Sequence, residues 1–349
     1  MATVKPFRAV RYDEPKAGPL ESLVAPPYDV LGPAEREAYL ARSPYNVVHL
    51  TLPDDYERAG RLWREWLDAG VLVREEAPSL WWLSQTYEGP DGLVRTREGL
   101  VCSLRLEPYE SRVVLTHERT HAGPKEGRLK LLRAVRAEVE PIFLLYDGAL
   151  EGPSRSPDVE VELEGVRNKL TRFDGEPPLE LVVARLLIAD GHHRYETALA
   201  FHREDGSEES GWLLVVVVPT EQEGLTIFPT HRIAGRLGGM DGAEPADESP
   251  LELLQRAPVL YRNGRAYRLP EAELDAALVE RFEPRDVTYT PDAQEAVAAV
   301  DSGRAEAAFL LRAPTVEQVR AIAERGETMP QKSTYFYPKL PSGLLFHPL

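Results

Sequence analysis

The chain has 349 residues, 43% hydrophobic and 28% charged, with a formal net charge of −16. That length exceeds one ordinary compact core, and the composition is that of a folded globular protein. An acidic field of this size repels nucleic-acid phosphates, and no run of about 18 apolar residues is available to span a bilayer, so neither nucleic acid nor membrane is an expected partner. The first residues lack an apolar signal core, and the single cysteine, Cys102, lies among apolar neighbours with no thiol to pair with. A cytoplasmic location and a buried packing role for Cys102 are therefore expected.

In chain order, Ala25-Pro26-Pro27-Tyr28-Asp29-Val30 reads as extended, because each proline disfavours helix in the residue before it. Gly32-Pro33 opens a helix through Leu40, and Asp54 to Ala69 is helical with Leu62, Trp63 and Trp66 on one face. Strands are predicted at Leu80–Leu83 and Gly99–Leu106, joined through the turn at Gly89–Gly92. A second region begins near Ser111 with a short strand at Val113–Leu115, a helix from Pro124 to Arg136 and a strand from Pro141 to Tyr146. Leu186–Ala189 is a strand running into Gly191, with a helix beyond it to about Arg203. Leu213–Val218 is apolar throughout, which predicts a strand buried on both faces.

The stretch from Leu237 to Pro250 is rich in Gly, Asp and Glu and reads as a linker. Beyond it, Pro258–Tyr261 and Arg265–Leu269 flank Asn263-Gly264 as a hairpin. A helix follows at Asp292–Ser302, a strand at Ala307–Leu311 and a helix at Pro314–Glu324 that Gly326 ends. The expected fold is α+β: an N-terminal α/β region (1–110), a central domain (111–236) and a C-terminal α/β domain (250–349).

Chemistry concentrates in a few segments. In Asp190-Gly191-His192-His193-Arg194, a helix follows a strand after one glycine turn and so exposes its first amide N–H groups and the positive end of its dipole, which attract anions. Gly191 removes a Cβ that would block a ligand, Arg194 can grip phosphate in two places, and His192 and His193 can donate hydrogen bonds. The alternative, less favoured because an apolar strand has little reason to run into four polar residues, is that Asp190 is a plain helix cap with surface histidines beside it. Zinc is disfavoured, because adjacent helical histidines cannot both face one ion. In Thr116-His117-Glu118-Arg119-Thr120, Glu118 flanked by His117 and Arg119 suits a general base; a solvated turn with a capping threonine fits as well. Lys332-Ser333-Thr334 can bind a carboxylate or a phosphate, although by itself it reads first as a surface loop over packed aromatics. Phe228-Pro229-Thr230-His231-Arg232 suits an acidic ligand, or is a strand edge with an exposed basic pair.

Together these segments resemble the bacterial and archaeal family of unknown function numbered 1015, through Ala25–Val30, Thr116–Thr120, Asp190–Glu196 and Lys332–Pro338. From about Val113 onward the chain is also similar to free serine kinases of the ParB and sulfiredoxin-like fold, through the Asp190–Arg194 turn, the His117-Glu118 pair, and Phe309–Thr315 followed by Lys332–Thr334. This second resemblance implies a ParB/sulfiredoxin-like central domain. It also implies a kinase-like enzyme moving phosphate between ATP or ADP and free serine or a similar hydroxyl metabolite, or the reverse, or phosphoserine hydrolysis. Glu118 would be the catalytic base, Asp190 to Arg194 the nucleotide-phosphate site, and Asp190 a ligand of Mg2+. His117, Arg119, Phe228, Thr230, His231, Arg232, Lys332, Ser333 and Thr334 would lie on the substrate side. The chain departs from those kinases in a longer stretch between His117 and Asp190, in Phe228 where they carry tryptophan, and in Tyr335-Phe336 where they carry Arg-His. A non-catalytic nucleotide-binding regulatory module is the alternative.

Overall fold

The computed structural model describes residues 2–349 apart from 90, 119–121, 174–176, 178–180 and 182–184, and omits the side chains of 122–124. The chain divides into two units, one of Met1–Thr116, Thr120–Leu225 and Pro338–Leu349, the other of His117–Arg119 and Thr226–Tyr337. The first hundred residues thus share one unit with the region from 111 to 225 apart from His117–Arg119, whereas the expected boundary fell near 110. Both α and β structure are present throughout.

The first unit is built on a nine-stranded sheet whose order, by first residue, is 114, 186, 142, 212, 94, 80, 166, 159, with Val4–Lys5 pairing off that path against Val94–Arg105. Trp212–Pro219 is buried along its whole length. It pairs parallel with Ile142–Tyr146 and antiparallel with Val94–Arg105, which explains a strand without polar alternation. Leu80–Glu88 and Val94–Arg105 extend well beyond the predicted apolar runs. The helices Ala122–Val135 and His192–Asp205 are tied by the ion pairs Lys125–Glu196 and Arg133–Glu204, and Arg136, just past the end of the first, pairs with Asp205. Tyr56–Asp68 buries Trp63 and Trp66 in a core that also holds Tyr12, Val135 and Phe346. Gly60 permits a close crossing there: a Cβ on it would lie 2.3 Å from the Ala134 carbonyl oxygen.

The extended reading of Ala25–Val30 holds only to Pro27, because Tyr28–Val30 closes into a 3-10 turn. A proline constrains the residue before it, not the residues after it.

The second unit carries a six-stranded antiparallel sheet ordered, by first residue, 244, 265, 259, 307, 231, 285. Asn263 and Gly264 adopt φ of 51° and 72°, the left-handed pair that a two-residue hairpin turn requires. The expected linker at 237–250 is instead part of this unit. Glu244–Ala246 is an edge strand, and the Leu237 N–H donates to Glu306. Pro245 is tolerated because an edge strand has an unpaired side, so a linker-like composition concealed a strand. The last helix is Val316–Arg325, capped by Thr315 rather than begun at Pro314, with Gly326 left-handed at its end.

Candidate functional site

In the first unit the strand Leu186–Asp190 does not run straight into its turn. Ile188 faces Leu144 but Asp190 faces Phe143, so the register slips by one residue at Ala189. Such a bulge re-aims the side chain that follows it. Gly191 then takes φ 99° and is the cap residue of His192–Asp205, with no side chain of its own to bond the first amides. A Cβ at Gly191 would come within 3.2 Å of both Arg194 Nη2 and Ile142 Cγ1, so glycine serves both the backbone angle and the packing. Tyr195 anchors the helix: its hydroxyl donates to the Glu107 carbonyl at 2.7 Å and its ring stacks on Tyr109.

Asp190 sits between two cations. Arg194 Nη2 donates to its Oδ2 at 2.8 Å, and Lys339 Nζ donates to its Oδ1. Burial would raise the Asp190 carboxyl, but Lys339 and Arg194, with help from His192, hold it well below the ordinary aspartate range. Arg194 is buried rather than open to solvent, and its Nη1 is bound to the Pro141 carbonyl at 2.5 Å. Behind it lies Glu140, which accepts from the Tyr28 N–H and the Ser342 hydroxyl, each at 2.9 Å, and from Arg128 Nη1 at 2.7 Å. Arg128 also covers the Tyr28 ring, 3.9 Å from its centroid. Asp29 is solvent-accessible yet hemmed in by protein; desolvation first and the Asp190 charge second raise its carboxyl above the usual value. The segment around Tyr28 and Asp29, a weak signal in the sequence, therefore belongs to the same cluster as Asp190.

Sequence reading missed Lys339, Glu140, Arg128 and Arg97. Arg97 is fully buried, donates to Gln85 Oε1 and the Pro338 carbonyl, each at 2.5 Å, and lies 4.4 Å from the Phe143 ring centroid. Burial pushes it down to about 9, so it remains a cation at neutral pH, and its Nη1 has no hydrogen-bond partner among the described residues. Only Lys339 had a signal within reach, since it lies five residues beyond Thr334 in a segment already marked for chemistry.

Mg2+ fits poorly at Asp190. Both of its oxygens already face protein cations, and among the described residues no group of three or more His, Cys, Asp and Glu is arranged to hold a metal.

In the second unit the structure brings His117 and the Lys332–Thr334 loop together. His117 Nε2 lies 3.2 Å from Thr334 Oγ1, and the His117 carbonyl accepts from the Met329 N–H at 2.8 Å. Glu118 is half-buried in the turn that follows. Arg119 lies outside the described residues. Lys332 is exposed in a left-handed conformation, φ 55°, while Ser333 is buried and donates to the Pro330 carbonyl at 2.6 Å. Phe228 packs on Tyr337 where Thr226–Phe228 pairs with Tyr335–Tyr337.

Thr230, Arg232 and Ser333 line a cavity of about 370 Å³. His231 does not line it. Neighbouring residues of a strand face opposite ways, and His231 is buried with its Nδ1 accepting from the Leu311 N–H at 3.1 Å. Burial pushes its imidazole down to about 4, so it is a neutral packing group and not the exposed basic residue that the sequence suggested.

Fold and site thus define an α and β protein with a buried charged network at a strand-to-helix turn. The family described as "Protein of unknown function (DUF1015)" matches residues 4–296, and the chain belongs to it. Curated protein sequences give no match. Among solved structures, the chain is similar to a free serine kinase in complex with AMP at 16% identity and a TM-score of 0.42, covering 70% of this chain and 92% of that one. It is similar to a conserved hypothetical protein from Pyrococcus furiosus at 16% identity and 0.40, covering 69% and 93%. It is also similar to C-terminally truncated SbnI from Staphylococcus aureus at 12% identity and 0.40, covering 69% and 87%. At these values the likeness says nothing about chemistry.

Proposed function

We propose that the protein is a small-molecule kinase-like phosphotransferase, moving phosphate between ATP or ADP and free serine or a similar hydroxyl metabolite. The observation that carries this reading is the start of the helix His192–Asp205 at a left-handed Gly191, a cap residue without a side chain, with the Lys339 ammonium bound to the preceding Asp190. First-turn amides that have no acceptor within their own helix, a helix dipole and a fixed cation are the elements of a phosphate site. The motif resemblance supplies the rest: a ParB/sulfiredoxin-like core for 111–236, a substrate-side domain for 250–349, and Glu118 as base.

In this reading the amides of residues 191–194 hold the nucleotide phosphates, and Arg194 shapes the turn from beneath rather than touching them. Glu118 takes the proton of the acceptor hydroxyl as the hydroxyl oxygen bonds to the terminal phosphorus and the bond from that phosphorus to the bridging oxygen breaks, releasing ADP from ATP or AMP from ADP. His117, Arg119, Phe228, Thr230, Arg232 and Lys332–Thr334 position the acceptor. Phosphoryl transfer is mainly positioning and charge neutralisation, so a sparse set suffices. The reverse transfer, or phosphoserine hydrolysis, would use the same groups. Mg2+ would enter with the nucleotide, given the neutralised state of Asp190.

Titration calorimetry with ADP and with ATP tests the phosphate site. Lys339→Met should weaken binding roughly tenfold or more, as expected for the loss of a charged donor. Unchanged affinity in the folded variant would remove Lys339 from the site. A non-catalytic nucleotide sensor is the second reading. The neutralisation of Asp190 favours it, since a sensor requires neither metal nor base. Nucleotide that binds but is not consumed when hydroxyl acceptors are added would select it.

A further inference from the structure

The cavity of about 370 Å³ in the second unit falls in the size range of small-molecule sites. Its two guanidinium groups are treated very differently. Arg312 is matched by acids: Nε and the backbone N–H both reach Asp275 Oδ2, at 3.0 and 2.9 Å, and Nη2 reaches Asp275 Oδ1 and Glu271 Oε2, each at 2.9 Å. Arg232 is only 4% exposed, yet its hydrogen bonds run to two neutral acceptors, the carbonyls of Thr230 and Gln331, each at 3.2 Å. Among the described residues no carboxylate forms an ion pair with it; the Tyr289 ring centroid lies 5.8 Å from the guanidinium, and Glu280 acts on it only at longer range. A buried cation without a counter-ion bears a desolvation penalty that neutral carbonyls only partly offset. That arrangement is stable as a receptor for an anion arriving from solvent.

We propose that this cavity binds a small metabolite through one oxyanion group, a carboxylate or a phosphate, held by the Arg232 guanidinium with the Thr230 hydroxyl beside it. The rest of the lining limits the ligand further. One guanidinium, Arg312, faces two carboxylates there, Asp275 and Glu271, which leaves that stretch negative. The part of the ligand that lies against it is therefore neutral or cationic, and a dianion with charges at both ends is disfavoured. This deepens the acceptor side of the proposed function but rests on the second unit alone.

Binding is measured by calorimetry on the full chain without nucleotide, with glycerate, glycerol 3-phosphate, inorganic phosphate and succinate as probes. Glycerate or glycerol 3-phosphate should bind, and whichever is tighter identifies the oxyanion. Succinate should bind at least tenfold more weakly. Arg232→Lys keeps the charge but loses the two-pronged donor, and should weaken binding about tenfold or more. Ala313→Trp, which places a large ring in the lining of the cavity, should abolish it. No binding of either probe with a single oxyanion group, succinate bound as well as they are, or wild-type affinity in both folded variants would overturn the proposal. Nucleotide consumption is not read here, so failure of the cavity assignment and failure of the kinase-like reading are separate results.

Discussion

Arg194 is expected to act first on the fold and only through it on ligand. Replacing it with Met removes a buried guanidinium that bonds the Pro141 carbonyl at 2.5 Å and Asp190 at 2.8 Å. The carbonyl is left without that donor, and Asp190 keeps Lys339 as its cation. Breaking one side of a buried ion pair costs about 3–5 kcal/mol, a large part of the roughly 5–15 kcal/mol that holds a typical domain. Asp190→Asn leaves Arg194 and Lys339 as neighbouring cations with their shared carboxylate gone, and should cost a similar amount. The double variant should cost less than the sum, by at least ~1 kcal/mol, because the second change removes a group that the first has already stranded. Urea denaturation at pH 7, compared at constant m-value, measures all three. Arg194→Met within about 1 kcal/mol of wild type, or strict additivity, would refute the buried-pair argument and return Arg194 to a solvent-facing, ligand-gripping role.

His347 stacks on Phe7 with its ring buried, and burial pushes its imidazole down to about 4 from an ordinary 6.5. Between those values the unfolded chain binds the proton and the folded one does not, so acid weakens the fold through this residue. The stability deficit of His347→Gln relative to wild type should therefore shrink by about 2–3 kcal/mol between pH 7 and pH 4.5 in denaturant titrations, and a constant deficit would contradict this. Gly60→Ala should force apart the helices Tyr56–Asp68 and Ala122–Val135, because its Cβ would meet the Ala134 carbonyl at 2.3 Å. A loss of about 1–3 kcal/mol is expected, and an unchanged Tm would show that the crossing has slack.

Local signals in the sequence were read well, and distant partnerships were not. Apolar continuity located Trp212–Pro219, Asn263-Gly264 located its hairpin, and the apolar strand ending in Asp190-Gly191 located the turn, because each depends on neighbouring residues. The pairing of Lys339 with Asp190, 149 positions apart, leaves no trace in periodicity, and neither does the burial of Arg97. The basic pair His231-Arg232 looked like one exposed feature, but strand alternation separates it into a neutral packing imidazole and a cavity-lining cation. Composition also misled at Glu244–Ala246, where residues typical of a loop form a sheet edge.

The central claim is that phosphate leaves a nucleotide for a hydroxyl metabolite with Glu118 as base. Phosphorus NMR of the protein incubated with ATP or ADP and a panel of hydroxyl amino acids tests it directly. The expected result is a phosphomonoester signal that grows as nucleotide is consumed. In Glu118→Gln that rate should fall about 10²–10⁴-fold while nucleotide affinity stays nearly intact. Nucleotide left unconsumed with every acceptor in both directions, or a rate retained within a few-fold in Glu118→Gln, would contradict it.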